Sequence, residues 1–348
     1  LLLVPFSFIY YLLFKFRAMI YRLGLLRKAR LSPKVVGVGN ITSGGTGKTP
    51  FTIHLAGALA TRGLKTAIIS RGYKRRGGGA EPLVVTNGDK TVTTVEEAGD
   101  EPFLIARSLP DIPLVISRDR RKGGKLLEEL FQPEVIILDD GFQQLKVAKD
   151  LDLLLIDGRN PLGNGWLLPA GALREPASGI SRADCIIITR GDKKSLPVIK
   201  ERISRLKKKE TPIFTGSIEV EGVFELITEK KVPLEKVKRM KVLAFSGIAN
   251  PGSFEETVSS LGFNLLSCRR FGDHHWYCQK DISSLIAEAK KLSAEGLITT
   301  EKDAVKLKGV IPSNFPLFYL KIGMRLIEEK DFISFLLSSL GIDDEETA

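Results

Sequence analysis

The stretch Thr42-Ser43-Gly44-Gly45-Thr46-Gly47-Lys48-Thr49 constrains this chain more than any other. It directly follows the apolar run Val35 to Val38 and precedes a helical pattern from about Pro50 to Arg62. A strand, a glycine-rich turn and a helix in that order turn backbone N–H groups toward a helix N-terminus, where the helix dipole favours anions. Lys48 is placed to reach the β- and γ-phosphates of a nucleotide, and the Thr49 hydroxyl to ligate magnesium. The usual pattern has glycine where this chain has Thr42, yet Gly-Gly-x-Gly-Lys-Thr in this context is specific for a phosphate-binding loop. Thr42 through Thr49 are therefore the candidate nucleotide-binding residues, with Lys48 also catalytic.

Further strands are expected at Thr66 to Ile69, Leu114 to Ile116, Val135 to Leu138, Leu151 to Ile156 and Cys185 to Ile188, separated by helices or loops. Their apolar residues are consecutive rather than alternating, as for strands covered on both faces. The predicted fold is α/β: a P-loop NTPase-like, doubly wound, mostly parallel sheet with a second, smaller α/β domain. A short two-stranded linker joins them, its strands meeting around Glu221 and Gly222. Strands near Val242 to Phe245, Asn264 to Cys268, Leu297 to Thr300 and Leu317 to Lys321 build the smaller domain, and a helix over Asp331 to Leu340 follows. The expected divisions are an amphipathic surface helix over 1–30, a P-loop domain over 31–212, a linker over 213–235, the smaller domain over 236–327, and a helix and acidic tail over 328–348.

Charge is distributed unevenly. The net charge is +11, and no Asp or Glu occurs before Glu81, whereas Lys15, Arg17, Arg22, Arg27 and Lys28 crowd the start. A basic end of this kind suits an anionic partner. Leu1 to Phe14 is apolar but contains Pro5, and Lys15 and Arg17 break the run before the roughly 20 residues that span a bilayer. Ile9, Leu12, Leu13, Phe16, Met19, Ile20, Leu23 and Leu26 follow helical spacing, which reads as a helix lying in a membrane interface. The alternative is a helix packed on the protein's own core. The sequence begins at Leu1 rather than Met, which leaves the true start open. Cys185, Cys268 and Cys278 are odd in number and too few for a disulfide framework, so a reducing compartment is the default.

Asp139 and Asp140 follow the strand Val135 to Leu138, where a P-loop protein needs a carboxylate for magnesium and its water. Two adjacent carboxylates before Gly141 favour a metal role over a simple turn cap. Thr189-Arg190-Gly191-Asp192 also follows a strand and is similar to the base-reading motif of GTPases, which keeps a membrane-associated nucleotide switch as the alternative; Arg190 replaces the expected lysine there. Cys268, His274, His275 and Cys278 do not have a familiar structural zinc spacing. His54, alone on the helix after the phosphate loop, receives no role.

Taken together, the motifs resemble the tetraacyldisaccharide 4'-kinase family over nearly the whole chain. The matching stretches are Val38-Gly39-Asn40 through Pro50, Ser70-Arg71-Gly72-Tyr73, Gly99-Asp100-Glu101-Pro102, Leu138 to Gln143, Leu173-Arg174-Glu175-Pro176, Asp273-His274 and Thr300-Glu301-Lys302-Asp303. The resemblance implies transfer of the ATP γ-phosphate to the 4'-hydroxyl of a tetraacyldisaccharide 1-phosphate, giving lipid IVA. It places the protein peripherally at the cytoplasmic face of the inner membrane, with ATP and magnesium required. The expected partners are the acylated disaccharide and the membrane surface, with no nucleic acid and no obligate protein partner.

Within that resemblance, Asp100 is expected as general base for the acceptor hydroxyl and His274 as its orienting partner, which requires the two domains to meet. The alternative for Asp100 is a cap on the helix beginning near Glu101, which need not exclude catalysis. Thr49, Asp139, Asp140 and Glu175 are the expected magnesium residues, with Gln143 beside them. Arg120, in the mainly basic run Arg118 to Lys122, and Arg174 are expected to contact phosphate through their planar forks; a solvated basic face is the alternative for that run.

Overall fold

In the computed structural model, which describes residues 2–73, 75–77, 79, 81–192, 194–208, 210–307, 309–310 and 315–343, the phosphate-loop motif lies between two regular elements. Parts of the basic loop Arg75 to Gly79 and of the tail Asp343 to Thr347 fall outside these residues. The first half comprises α1 (Val4–Arg22), β1 (Lys34–Asn40), α2 (Lys48–Ala60), β2 (Thr66–Ser70), β3 (Leu83–Thr86), α3 (Val95–Ala98), α4 (Asp100–Ser108), β4 (Leu114–Ile116), α5 (Arg120–Phe131), β5 (Val135–Asp139), β6 (Leu151–Asp157), β7 (Cys185–Thr189) and α6 (Leu196–Ser204). There follow β8 (Ile213–Glu225), β9 (Lys231–Val232), α7 (Leu234–Val237), β10 (Lys241–Ser246), α8 (Pro251–Ser260), β11 (Asn264–Arg270), α9 (Gln279–Lys291), β12 (Gly296–Thr300), α10 (Glu301–Ala304), β13 (Leu317–Leu326) and α11 (Glu329–Leu340).

Why the central strands read as unbroken apolar runs is plain from their packing. Val135 and Ile137 of β5 enter the core under α2, α4 and α11, whereas Ile136 and Leu138 enter a second core under α5. In β6, Leu153 and Leu155 join the first core and Leu154 and Ile156 a third, on the opposite face. Successive side chains leave opposite faces of a strand, so a sheet covered on both sides needs both sets apolar.

The strands form a single sheet in the order β11-β10-β12-β13-β8-β7-β6-β1-β5-β2-β4-β3, with β9 added beside β8. From β7 to β4 the strands are parallel, as are those from β11 to β13. Between the two sets, β8 runs parallel to β7 but antiparallel to β13. The two parallel sets therefore point in opposite directions.

Their carboxyl ends consequently face one another. Thr189 at the end of β7 is level with Gly216, while Thr300 at the end of β12 is level with Leu320, which pairs Val223. Gly216 and Val223 are seven residues apart on one strand, so about 20 Å separates the two rims at ~3.3 Å per residue. Ligands of parallel α/β sheets bind beyond the carboxyl ends of the strands; here two such rims enclose one space.

The expected break around Glu221 and Gly222 is not a turn between two strands. β8 continues through it, and the register against β13 shifts between Lys321, which pairs Gly222, and Ile322, which pairs Val220. The sequence signal at Glu221 is thus a bulge, one extra residue that bends a continuous ribbon. After β13 the chain returns to the first half: Phe332, Ile333, Leu336, Leu337 and Leu340 of α11 complete the core beneath α2. His54 on α2 accordingly meets Glu329 of α11 at 3.0 Å.

Helix α1 packs through little of its surface. Ser7 is its buried residue; the Ser7 hydroxyl donates to the Leu167 carbonyl and the Tyr10 hydroxyl to the Arg174 carbonyl, at 2.8 and 2.6 Å. Ile9, Leu12, Leu13, Phe16 and Met19 of the apolar stripe are exposed, and so are Phe6 and Phe8. The stripe does not pack on the protein's own core. Among the described residues, no helix is long and apolar enough to cross a membrane.

Candidate active site

At the carboxyl end of β1 the chain enters the phosphate loop, and Gly47, with φ at +86°, caps α2 in the left-handed region that glycine tolerates. Gly44, at φ +117°, has open space where a side chain would project. The loop is thus a cradle lined by backbone, and the buried Thr46 hydroxyl has no hydrogen-bond partner among the described residues. Thr42 lies outside the cradle, bridging Leu173 instead; Ser43 through Thr49 line a cleft of about 1130 Å³ between the two rims.

Lys48 is held by the side chain of the wholly buried Asn40 at 3.1 Å and lies 3.6 Å from Asp140. Asp139 ends β5 beside β1, and Asp140 follows it with φ at +53°. Arg174 donates to both Asp140 oxygens at 2.8 and 3.0 Å. Burial opposes ionisation of Asp140, but Lys48 and Arg174 outweigh it and hold its pKa below the ordinary value. Asp139 behaves oppositely: burial, with the Glu101 and Asp140 carboxylates, pushes it up to about 6, although the Ser70 hydroxyl donates to it at 2.8 Å.

Three expected residues are placed differently. Glu175 is fully buried away from the cleft lining, its carboxylate bonded to Arg182 and Gln143, each at 2.6 Å. An oxygen pair already held by a guanidinium and an amide is not presented to the cleft. Gln143 lines the cleft, but its amide donates to Glu175 and to the Asn40 carbonyl, bracing β1. Arg120 also lines the cleft at 2% exposure, with its Nη atoms donating to the carbonyls of Ser70, Ser117 and Asp139. It ties three strand ends together instead of reaching freely for phosphate. Burial lowers its pKa to about 10, against the pull of Asp139 and Asp140.

Asp100 and His274 meet across the rims. Asp100 is the first residue of α4, and one of its oxygens accepts the Glu101 N–H at 2.9 Å. Both its oxygens also lie within hydrogen-bond reach of His274 Nδ1, at 2.8 and 2.9 Å. Helix-end hydrogen bonding and pairing with histidine therefore coexist. Burial would raise the Asp100 pKa, yet the His274 hydrogen bond and the Lys302 and Lys306 ammonium groups bring it down to about 2. His274 sits in the loop after β11 with φ at +64°, its N–H donating to the Gly247 carbonyl. Asp140, Arg190 and His274 all line the cleft with left-handed backbone, a conformation uncommon outside glycine and concentrated at functional sites.

The GTPase-like segment performs another task. Arg190 donates to the Gly45 carbonyl and to Asp157, steadying the phosphate loop, while Asp192 accepts the N–H groups of Lys194 and Ser195 as a turn. His275 turns to Asp281 at 3.0 Å, away from Asp100, and no group of metal-binding side chains gathers around the cysteines among the described residues. Residues to which sequence reasoning gave no role are Asn40, Tyr73 and Lys302. Tyr73 meets His274 edge-to-face at 5.5 Å. Tyr73 and Lys302 belong to motif stretches whose chemistry becomes visible only when the halves meet.

The family model described as tetraacyldisaccharide-1-P 4'-kinase matches residues 1–341. A tetraacyldisaccharide 4'-kinase from Halothermothrix orenii is 38% identical over 91% of this chain and 87% of its own length. One from Pelobacter propionicus is 42% identical over 89% and 83%. The crystal structure of the Aquifex aeolicus enzyme in complex with ATP superposes with a TM-score of 0.77 at 35% identity, covering 97% of this chain and 98% of that one. With a phosphate cradle at one rim, a carboxylate–histidine pair spanning to the other, and this agreement along its length, the chain belongs to the tetraacyldisaccharide 4'-kinase family.

Proposed function

We propose that the protein transfers the γ-phosphate of ATP to the 4'-hydroxyl of an acylated glucosamine disaccharide 1-phosphate, giving lipid IVA, while resting on the cytoplasmic face of the inner membrane. The observation that carries this reading is the Asp100–His274 contact formed across the cleft opposite the phosphate loop.

The loop backbone and Lys48 hold the β- and γ-phosphates, and the Thr46 hydroxyl is an unused donor there. Thr49, Asp139 and Asp140 supply hard oxygen donors that suit magnesium, and Asp139, raised by burial and by the Glu101 and Asp140 carboxylates, is a group that a bound cation would favour in its ionised form. When bound, the ion neutralises charge on the transferring phosphoryl group. Arg174, fixed by Asp140, presents the rest of its guanidinium to the cleft. Arg120 keeps the strand ends beneath these groups in register.

Asp100 takes the hydroxyl proton as the new O–P bond forms. In a loose phosphoryl-transfer transition state the hydroxyl becomes acidic late, so a carboxylate that stays ionised at neutral pH is an adequate acceptor. Helix α1 supports the membrane reading, because its exposed apolar residues alternate with Lys15, Arg17 and Arg22 and its Tyr10 is anchored on Arg174.

The test is incubation with ATP, magnesium and the disaccharide 1-phosphate in vesicles of anionic phospholipid. Acceptor-dependent ADP and a lipid heavier by one phosphate are expected. ADP formation indifferent to acceptor refutes the kinase reading in favour of a nucleotide switch. A chain lacking residues 1–26 should keep ATP binding and lose vesicle binding; unchanged vesicle binding refutes the membrane role of α1.

A further inference from the structure

We propose that the turn carrying Trp166 is a second membrane contact beside helix α1, setting the angle at which the cleft mouth meets a bilayer of anionic phospholipid; this rests on the membrane reading above. A helix lying in the interface holds a protein to the bilayer but leaves it free to roll about the helix axis. A second contact off that axis removes the freedom.

The segment from Gly158 to Arg174 leaves the carboxyl end of β6 and returns along the phosphate loop, where the Ser43 N–H donates to the Ala172 carbonyl and the Arg174 N–H to that of Ile41. Leu162 and Leu173 are buried, Leu167 packs on the third core and Leu168 lines the cleft. Of the large apolar side chains in this segment, that of Trp166 is the exposed one, at 52%.

Its turn is closed at both ends. The Trp166 N–H donates to Asn164 Oδ1 at 3.2 Å, Asn164 Nδ2 donates to the Ala170 carbonyl at 3.1 Å, and the Trp166 carbonyl accepts the Leu173 N–H at 3.0 Å. Gly171 has no room for a side chain against Asn164 and the Trp166 backbone. The exposed indole is thus held in place by its own backbone.

Helix α1 rests on the same turn. The Ser7 hydroxyl donates to the Leu167 carbonyl at 2.8 Å and accepts the Ala170 N–H at 3.0 Å. Ser7, Tyr10, Phe14 and Ala18 make the seam along which α1 meets the protein, leaving Phe6, Phe8 and Ile9 of the same turns exposed. Single exposed apolar residues are ordinary, whereas a neighbouring set of them marks an interaction surface.

The surrounding charge selects the occupant. No Asp or Glu occurs before Glu81 or from Gly158 to Arg174, whereas Lys15, Arg17, Arg22 and Arg159 are present and exposed. Anionic headgroups attract such a surface. An indole, apolar in body with one N–H donor, settles at the level of those headgroups. Tyr10, Arg17 and Leu168 line the cleft, so its mouth lies where the two contacts meet. A mouth set at headgroup level lets an acylated acceptor offer its sugar while its chains stay in the bilayer.

The test uses intrinsic fluorescence. Trp166 and Trp276 are the two tryptophans, so Trp276→Phe, which keeps an aromatic partner for Arg76, makes Trp166 the reporter. The full chain is mixed with vesicles of phosphatidylcholine and phosphatidylglycerol, with and without bromine on acyl carbons near the headgroup. Trp166 emission is expected to shift to the blue on binding and to be quenched by the brominated lipid. Trp166→Ser should weaken vesicle binding on the order of tenfold, as for partial withdrawal of one large apolar side chain from water, and leave ATP binding unchanged. Vesicle-bound protein whose Trp166 emission is neither shifted nor quenched overturns the proposal and leaves the membrane role of α1 standing. A shift that appears on concentrating the protein without vesicles, and grows no further with them, assigns Trp166 to a contact between copies and overturns it too. If Trp276→Phe does not fold, the difference between wild-type and Trp166→Phe spectra gives the same reading. Protein that stays off the vesicles altogether refutes the membrane reading itself, and this proposal with it.

Discussion

The two rims of the cleft are built by different means. On the phosphate side, Lys48, Asp139 and Asp140 come from or directly follow regular elements, and the strands beside them, such as Val135–Asp139, are buried throughout. Across the cleft, His274 lies in a loop and Lys302 on a four-residue helix. They reach the first half through side chains: His274 to Asp100, Lys302 to Glu101, and Trp276 under the Arg76 guanidinium at 4.6 Å. Packed strand ends hold geometry without a ligand. Of these, the Asp100–His274 pair is buried, whereas the Arg76–Trp276 contact lies nearer the surface, where a cation–π pair is individually weak. The difference assigns phosphate binding to strand and helix ends and acceptor chemistry to side chains that two halves of the chain bring together.

The largest effect should come from the fixed frame. Lys48→Ala is expected to lower kcat by about 10²–10³, the usual loss when a preorganised phosphate contact is removed. Near-normal turnover would mean that the loop is not the phosphate site.

Next comes the assembled contact. Asp100→Ala and His274→Ala should each lower kcat by about 10² or more, with the double variant no worse than Asp100→Ala and ATP affinity kept. Additive losses would show that the two rims act independently, and the comparison would break.

A stability measurement sharpens it from the other side. Asp139 has a folded pKa of about 6, above the ordinary value of 3.8, so the folded state binds more protons than the unfolded one between those values. Stability from this group is therefore greatest below the unfolded value and is lost as pH rises through about 6. Asp139→Asn should stabilise the ligand-free protein above that pH by up to about 3 kcal/mol, at 1.36 kcal/mol per unit, while abolishing activity. Urea unfolding at mildly alkaline and at acid pH checks it; an equal gain at both excludes the ionisation as the cause.

The smallest effect is expected at the outer contact. Trp276→Ala removes the cation–π partner of Arg76 and should lower kcat only about twofold to fivefold, leaving ATP binding unchanged. A loss as large as that of Lys48→Ala would mean that this contact controls the assembly of the second rim.

Much of the fixed frame was legible because each of its residues sits at a constant offset from an element with its own periodicity. Val135 to Leu138 announces a buried strand, and whatever follows it emerges at the rim. Helix α11 and the run Leu114 to Ile116 were readable for the same reason. The edge strand β3 was not, since Leu83 to Thr86 is short and half-buried. Asp100 and His274 were paired through the family resemblance, 174 residues apart, without any local periodicity to join them. Glu175 misled because a carboxylate beside Arg174 looks metal-ready in sequence, whereas Arg182 claims it in space. The bulge at Glu221 misled likewise: a charged residue before glycine reads as a turn until the partner strand is known.

The return of α11 to α2 bears on how the protein is made. His54 and Glu329 are separated by 275 residues, and Met324 and Leu326 of β13 lie in the same core as Phe51 and Leu55. During synthesis the phosphate loop therefore emerges early but rests on an unfinished core until β13 and α11 have followed. The smaller half, whose parallel strands are β10, β11, β12 and β13, has all but β13 available before then. Contacts so distant in sequence form slowly and leave apolar surface exposed meanwhile. An element written early thus has its support completed last, and the core beneath the phosphate loop closes only once the ribosome has passed α11.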